Sequence, residues 1–309
     1  MDNLLHISSS PHIHSPRTTQ KIMLDVIISL LPATIAGTMI FGLRSLLVVA
    51  LCIAFCVGSE YLFNLIVKKE QTLFDLSAVV TGLLLGLNLS ANIELWQAVI
   101  GSVFSIIVVK CLFGGIGKNL FNPAISGRVF MLIAFGSMAK SAFPQGIDSI
   151  SSATPLVELI EGNQPNLLDL FLGRHGGAIG ETCALALLIG GVYLIVRKVI
   201  TWHLPTCFIA TVFVLSLFIE KFDFAAALSW VLSGGLLIGA IFMATDYTTS
   251  PSTKRGKLLY GFFAGLLTVL IRFYGLYPEG VSFGILLANI LDPYIDLWTT
   301  RKLFGRSKK

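Results

Sequence analysis

Ten apolar runs, most of them close to the roughly 20 residues that carry a helix across a bilayer, constrain this chain before any other feature does. In hydrocarbon no water satisfies exposed amide and carbonyl groups, so such runs fold as helices whose backbone bonds are internal. The runs are Ile22 to Phe41, Ser45 to Val67, Leu73 to Leu89, Ile93 to Phe113, Phe121 to Gly136, Ala178 to Val196, His203 to Ile219, Ala226 to Ala244, Lys257 to Tyr274 and Val281 to Trp298. They predict an all-α polytopic membrane protein of about ten transmembrane helices. A hydrophobic fraction of 55%, only 13% charged residues and a mean hydropathy of +0.83 agree with a chain whose solvent is largely lipid. The first 21 residues hold no apolar core, so the first helix is expected to direct insertion itself.

Lysine and arginine set the expected orientation, because short loops rich in them stay on the cytoplasmic side. With the N-terminus inside, 17 of them fall in cytoplasmic segments and 5 (Arg44, Lys140, Arg174, Lys221 and Arg272) in outer ones. Both termini are therefore expected in the cytoplasm, with the chain in a bacterial inner membrane and its central polar segment facing out. This divides the chain into a cytoplasmic N-terminal segment (1–21), a first five-helix half (22–136), an outward loop (137–177), a second five-helix half (178–298) and a basic cytoplasmic tail (299–309). The net charge of +5 follows from this asymmetry and from anionic lipid at the inner leaflet, and implies no nucleic-acid partner.

The halves look related. Gly82-Leu83-Leu84-Leu85-Gly86 in the third run recurs as Gly235-Leu236-Leu237-Ile238-Gly239 in the eighth, and Phe113-Gly114-Gly115 has a counterpart in Phe273-Tyr274-Gly275. Five spans per half would invert the second half relative to the first, and inverted repeats place their site near the midplane between broken helices. Close helix packing also selects glycines at this spacing.

Two polar breaks interrupt the apolar sequence, one over Phe113 to Ala124 and one over Ala244 to Gly256. Irregular backbone survives at membrane depth only where protein buries it or it lines a cavity. Each break therefore offers hydrogen-bonding groups to a ligand, the alternative being a re-entrant or cytoplasmic turn.

The outward loop carries Asp148-Ser149-Ile150-Ser151-Ser152-Ala153-Thr154-Pro155-Leu156. This run resembles the acceptor motif, roughly D-x-x-S-x-A-T, at which a flavin transferase esterifies the phosphate of FMN to the threonine hydroxyl. Thr154 matches the acceptor, with Asp148, Ser151, Ser152, Ala153 and Pro155 as the supporting motif. Thr154 followed by Pro155 reads as an N-cap and first helical position, opening a short helix through Ile160. A phosphate on Thr154 would sit at the positive end of that helix. Ser151 and Ser152 offer further hydrogen bonds, Ala153 keeps the approach open, and Asp148 suits the transferase's metal during attachment.

Further segments complete a resemblance: Ser10-Pro11-His12-Ile13-His14-Ser15, Phe121-Asn122-Pro123-Ala124, Ala244-Thr245-Asp246, Arg255-Gly256, and Tyr277-Pro278-Glu279-Gly280 through Leu287-Ala288-Asn289. In this order they are similar to the D subunits of Rnf complexes, which are ion-translocating ferredoxin:NAD oxidoreductases, and to the related B subunits of the sodium-pumping NADH:quinone oxidoreductase. The resemblance covers nearly the whole chain and implies ten helices with covalent FMN on Thr154. It also implies a second, noncovalent flavin such as riboflavin, for which Asn122 and Asp246 are the candidate contacts. So read, the chain is an electron-transport flavoprotein and a translocase subunit, coupled to Na⁺ or H⁺ and placed among membrane and peripheral partners that include an outward-facing flavin subunit. Ser152 departs from the glycine of many members, at a position where a small residue suffices.

No phosphate-binding glycine loop, nicotinamide fingerprint or hydrolase triad is visible, so NAD and ferredoxin are expected to bind elsewhere. Cys52, Cys56, Cys111, Cys183 and Cys207 lack C-x-x-C spacing and read as small buried thiols, and no metal site is expected. Asp25, Glu60, Asp75 and Glu181 lie in or beside spans, where charge marks either pairing or an ion contact. A solute transporter or channel built on an inverted repeat is the competing class, and it needs no threonine-linked flavin.

Overall fold

The computed structural model describes residues 17–135, 142–144, 154–275 and 279–300. Among them the secondary structure is helical, apart from one isolated bridge between Ala142 and Gly177. α1 (Thr19–Phe41) starts at Thr18, whose hydroxyl accepts from the Lys21 amide, and ends at Gly42. The φ of +81° at Gly42 turns the chain straight into α2 (Leu43–Val67). There follow α3 (Ser77–Leu87), α4 (Leu95–Phe104) with a π-helical continuation over Ser105–Cys111, α5 (Pro123–Ala134), α6 (Pro155–Ile160), α7 (Leu167–Leu172), α8 (Ala184–Val196) and α9 (His203–Ile219). The chain then forms α10 (Phe224–Leu232), α11 (Leu236–Ile238) with a π-helical continuation over Gly239–Met243, α12 (Lys254–Tyr274) and α13 (Gly280–Thr299).

Four helices, α1, α2, α12 and α13, are long and apolar enough to cross a membrane. The pair made by α10 and α11 with its π continuation passes the same test while bent by 64°. The apolar helices α3, α4, α5, α8 and α9 are shorter. Large apolar side chains stay exposed on the outer faces, Met39 at 80% and Ile66 at 75%, as expected of surface that meets lipid.

Three of the ten expected windows are interrupted. The window from Leu73 opens with a 3₁₀ turn over Leu73–Asp75 and a left-handed Leu76 before α3 begins. The window from Ala178 becomes helical only at Ala184, because Ile179 and Gly180 donate their amides to Leu89 and Leu87 carbonyls instead. The window from Ala226 breaks at Ser233 to Gly235, where Gly234 adopts φ +67°. The paired glycine motifs also differ in setting. A Cβ on Gly82 would lie 2.6 Å from Ile53 Cα, so this glycine permits close α2–α3 packing. Gly235 instead sits at the bend beside Arg128 and Glu181.

Three cations in the count above, Lys110 and Arg128 among the 17 cytoplasmic ones and Arg272 among the 5 outer ones, are placed differently. Lys110, Arg128 and Arg272 are buried in helical segments, each held by protein acceptors, so they are not loop charges. Without them the partition of lysine and arginine becomes 15 against 4, and the bias keeps its direction.

Candidate functional site

The two polar breaks, far apart in sequence, meet in space. Asn122 caps α5 with Oδ1, which accepts from the amides of Ala124 (3.0 Å) and Ile125 (3.4 Å), and Pro123 occupies the first helical position. Its Nδ2 donates to the Met243 carbonyl at 3.2 Å, at the end of the π segment where helical partners run out. Asn119 Nδ2 donates to Thr248 Oγ1 (3.0 Å), and that hydroxyl donates to Asp246 Oδ2 (3.0 Å). Asn289 of α13, with its amide turned so that both ends are satisfied, accepts from the Asn122 amide (3.3 Å) and donates to the Thr249 carbonyl (3.2 Å).

Around this junction lies a cavity of about 290 Å³. Its walls are apolar at Met23, Val26, Leu84, Ile200 and Phe242, and polar at Lys110, Asn119, Asn122, Asp246 and Thr248. Burial pushes the Asp246 carboxyl above its usual range, opposed by hydrogen bonds from Thr248. The cavity touches the first turns of α1 at Thr19 and Ile22.

Thr154 lies outside this cavity. Its backbone (φ −68°, ψ 152°) is that of an N-cap, Pro155 takes the first position, and α6 runs to Ile160 as its sequence predicts. Among the described residues the Thr154 hydroxyl caps no amide. α6 buries Leu156 and Leu159 against Trp230 and Phe273, with Leu156 over Gly234 at the bend. Gly173, which ends α7 of the same loop, packs beside Ile40 near the C-terminal end of α1. The cavity thus touches α1 between Thr19 and Val26, and the loop touches it at Ile40. Asp148, Ser151, Ser152 and Ala153 lie outside the described residues.

Buried charge gathers below α6. Arg128 donates to Asn88 Oδ1 at 2.5 Å, pairs with Glu279, and lies 3.7 Å from Glu181. Arg272 donates to the carbonyls of Trp230 (2.6 Å) and Ser233 (3.0 Å), which the bend frees from helical bonding. Sequence reasoning missed this cluster; buried arginines in apolar runs were its available signal. The four acidic candidates each have protein partners: Asp25 takes Tyr193 (3.0 Å) and Arg197 (3.2 Å), Glu60 takes Lys110 (2.8 Å), Asp75 takes the Ser77 amide (2.8 Å), and Glu181 takes the Ala178 amide (2.9 Å) beside Arg128. No group of three or more metal-ligating side chains occurs among the described residues.

The model of the NQR2, RnfD, RnfE family matches residues 6–305. The chain is 44% identical to the D subunit of the Na(+)-translocating ferredoxin:NAD(+) oxidoreductase complex of Acetobacterium woodii, over 98% of this chain and 96% of that one. It is 37% identical to the D subunit of the proton-translocating ferredoxin:NAD(+) oxidoreductase complex of Clostridium ljungdahlii, over 98% and 97%. The D subunit of the ion-translocating oxidoreductase complex of Pectobacterium atrosepticum is 36% identical, over 98% and 99%.

Proposed function

The chain belongs to the NQR2, RnfD, RnfE family, and on that premise we propose that it is the flavin-carrying membrane subunit of an Rnf-type ion-translocating ferredoxin:NAD oxidoreductase. It works within a complex of other membrane and peripheral subunits, including an outward-facing flavin subunit, and is matured by a flavin transferase. On this reading ten helices cross the inner membrane as two inverted halves, both termini are cytoplasmic and Thr154 faces out.

The observation that carries the proposal is the meeting of the two breaks around one cavity. At about 290 Å³ it stands at the lower end of the roughly 300–1,000 Å³ typical of small-molecule sites. Apolar walls with a few convergent polar groups suit a planar heterocycle, and Asn122 and Asp246 would hold a noncovalent flavin such as riboflavin. Thr154 would carry FMN through its hydroxyl, which the cap leaves without an amide partner among the described residues. Bound flavins supply one- and two-electron transfer between the partner subunits. The chain's own part is to orient the rings, exclude water and set their electrostatic surroundings. Asn122 is fixed for this by three hydrogen bonds to backbone of α5 and of Met243, just before the second break.

The test is in-gel fluorescence of denatured protein made with an active flavin transferase. Wild type keeps a covalent fluorophore and Thr154→Val does not, while acid extraction of either releases noncovalent flavin. A dark wild-type band favours the transporter reading, and a fluorescent Thr154→Val band moves the attachment elsewhere.

A further inference from the structure

Two charged side chains line the cavity, Lys110 and Asp246. Lys110 comes from the π-helical turn that extends α4, a geometry that recurs at functional sites because it re-aims side chains. Its side chain is 3% exposed and its ammonium has three donors, all used: Glu60 Oε1 at 2.9 Å, Glu60 Oε2 at 2.8 Å and Ser77 Oγ at 2.6 Å. Glu60 also accepts from Thr72 Oγ1 at 2.7 Å, and Thr72 from Asn64 Nδ2 at 3.2 Å. Glu60 sits behind Lys110 and does not line the cavity. A buried pair of this kind contributes little net stability relative to apolar side chains of the same volume. Held by these three bonds, the Lys110 ammonium is fixed in position at the wall.

We infer that Lys110, oriented by Glu60 and Ser77, sets the reduction potential of the flavin in the cavity; this rests on the reading of that cavity as a flavin site. An electron taken from a one-electron donor adds one negative charge to the occupant, forms and breaks no bond with Lys110, and is stabilised by the nearby ammonium. A unit charge within ~10 Å at an effective dielectric constant of about 20 changes such an equilibrium by tenfold or more.

The experiment is a spectroelectrochemical titration of the noncovalent flavin in the full-length chain, in a Thr154→Val background so that no covalent flavin overlaps it, with acid extraction to count bound flavin. Lys110→Met is expected to lower the midpoint potential by about 59 mV or more for a one-electron step, the equivalent of tenfold. Glu60→Gln is expected to raise it, and Lys110→Arg to stay near the parent. The double variant Lys110→Met/Glu60→Gln removes both members of the pair, leaves Asp75 on the Ser77 hydroxyl, and still lowers the potential, by less than Lys110→Met, because Lys110 lines the cavity and Glu60 does not. If Lys110→Met does not fold, Glu60→Gln and the double variant decide by the same signs. Shifts of one sign in both single variants, or a double variant equal to the parent, overturn the role of Lys110 while flavin content leaves the cavity reading intact. Absence of noncovalent flavin from the parent chain overturns the cavity reading and this inference with it.

Discussion

Asn122 joins the two breaks, and the cost of removing it can be worked from its contacts. Its side chain is 4% exposed, caps α5 through Oδ1 and donates to the Met243 carbonyl through Nδ2. Asn122→Ala loses the cap, worth about 1 kcal/mol, and leaves the Met243 carbonyl without that donor, at about 1–2 kcal/mol. The expected destabilisation is roughly 2–3 kcal/mol. Asn122→Ser separates the two parts, since serine caps as well as asparagine but is too short to reach Met243; it should cost only about 1–2 kcal/mol. Reversible unfolding in mixed micelles, followed by helical circular dichroism, measures both, and acid extraction should show noncovalent flavin falling in each. Equal losses for the two variants would refute the capping part. A loss below about 0.5 kcal/mol for Asn122→Ala would refute the junction as a structural element.

Packing and surface charge give two further expectations. Gly82→Ala places a Cβ 2.6 Å from Ile53 Cα and should lower stability through forced separation of α2 and α3. Gly58→Ala meets nothing within 4 Å and should be neutral or stabilising by up to about 1 kcal/mol in the same unfolding assay. Asp223 caps α10, accepting from the amides of Ala225 (2.9 Å) and Ala226 (3.2 Å) and from Gln164, and these bonds hold its carboxyl below the usual range. A depressed acid stabilises above its unfolded pKa of about 4, and loses that contribution as pH falls through the folded value. The advantage of wild type over Asp223→Asn should therefore be full at neutral pH and close in acid; a gap independent of pH would refute it.

The helices were legible because apolar length alone dictates them. Their interruptions were not, because each answers to a distant partner. The Ala226 window breaks where Gly234 lies beneath Leu156 and beside Arg272. The Ala178 window starts late because Leu87 and Leu89 claim its amides. Pro155 made α6 readable from local chemistry. The breaks containing Asn122 and Asp246 were readable as irregular, yet not as one site, since Asn122 and Met243 stand 121 residues apart. Lys110, Arg128 and Arg272 read as flanking charges because a count along the sequence cannot see the carboxylates and carbonyls that fold back to them.

Those three cations also bear on the choice between a redox subunit and a solute path. A charged side chain at membrane depth is retained for a reason, and a permeation path would present such groups to its lumen. Here Arg128 is paired with Glu279, lies beside Glu181 and donates to Asn88, and Arg272 donates to two backbone carbonyls. Lys110 has every donor occupied while its flank borders the cavity. One cluster lies beneath the helix that Thr154 opens, and the other borders the cavity. Charges held by protein partners beside such sites would shape the potentials of bound groups, and on this ground the redox reading is preferred to the transporter.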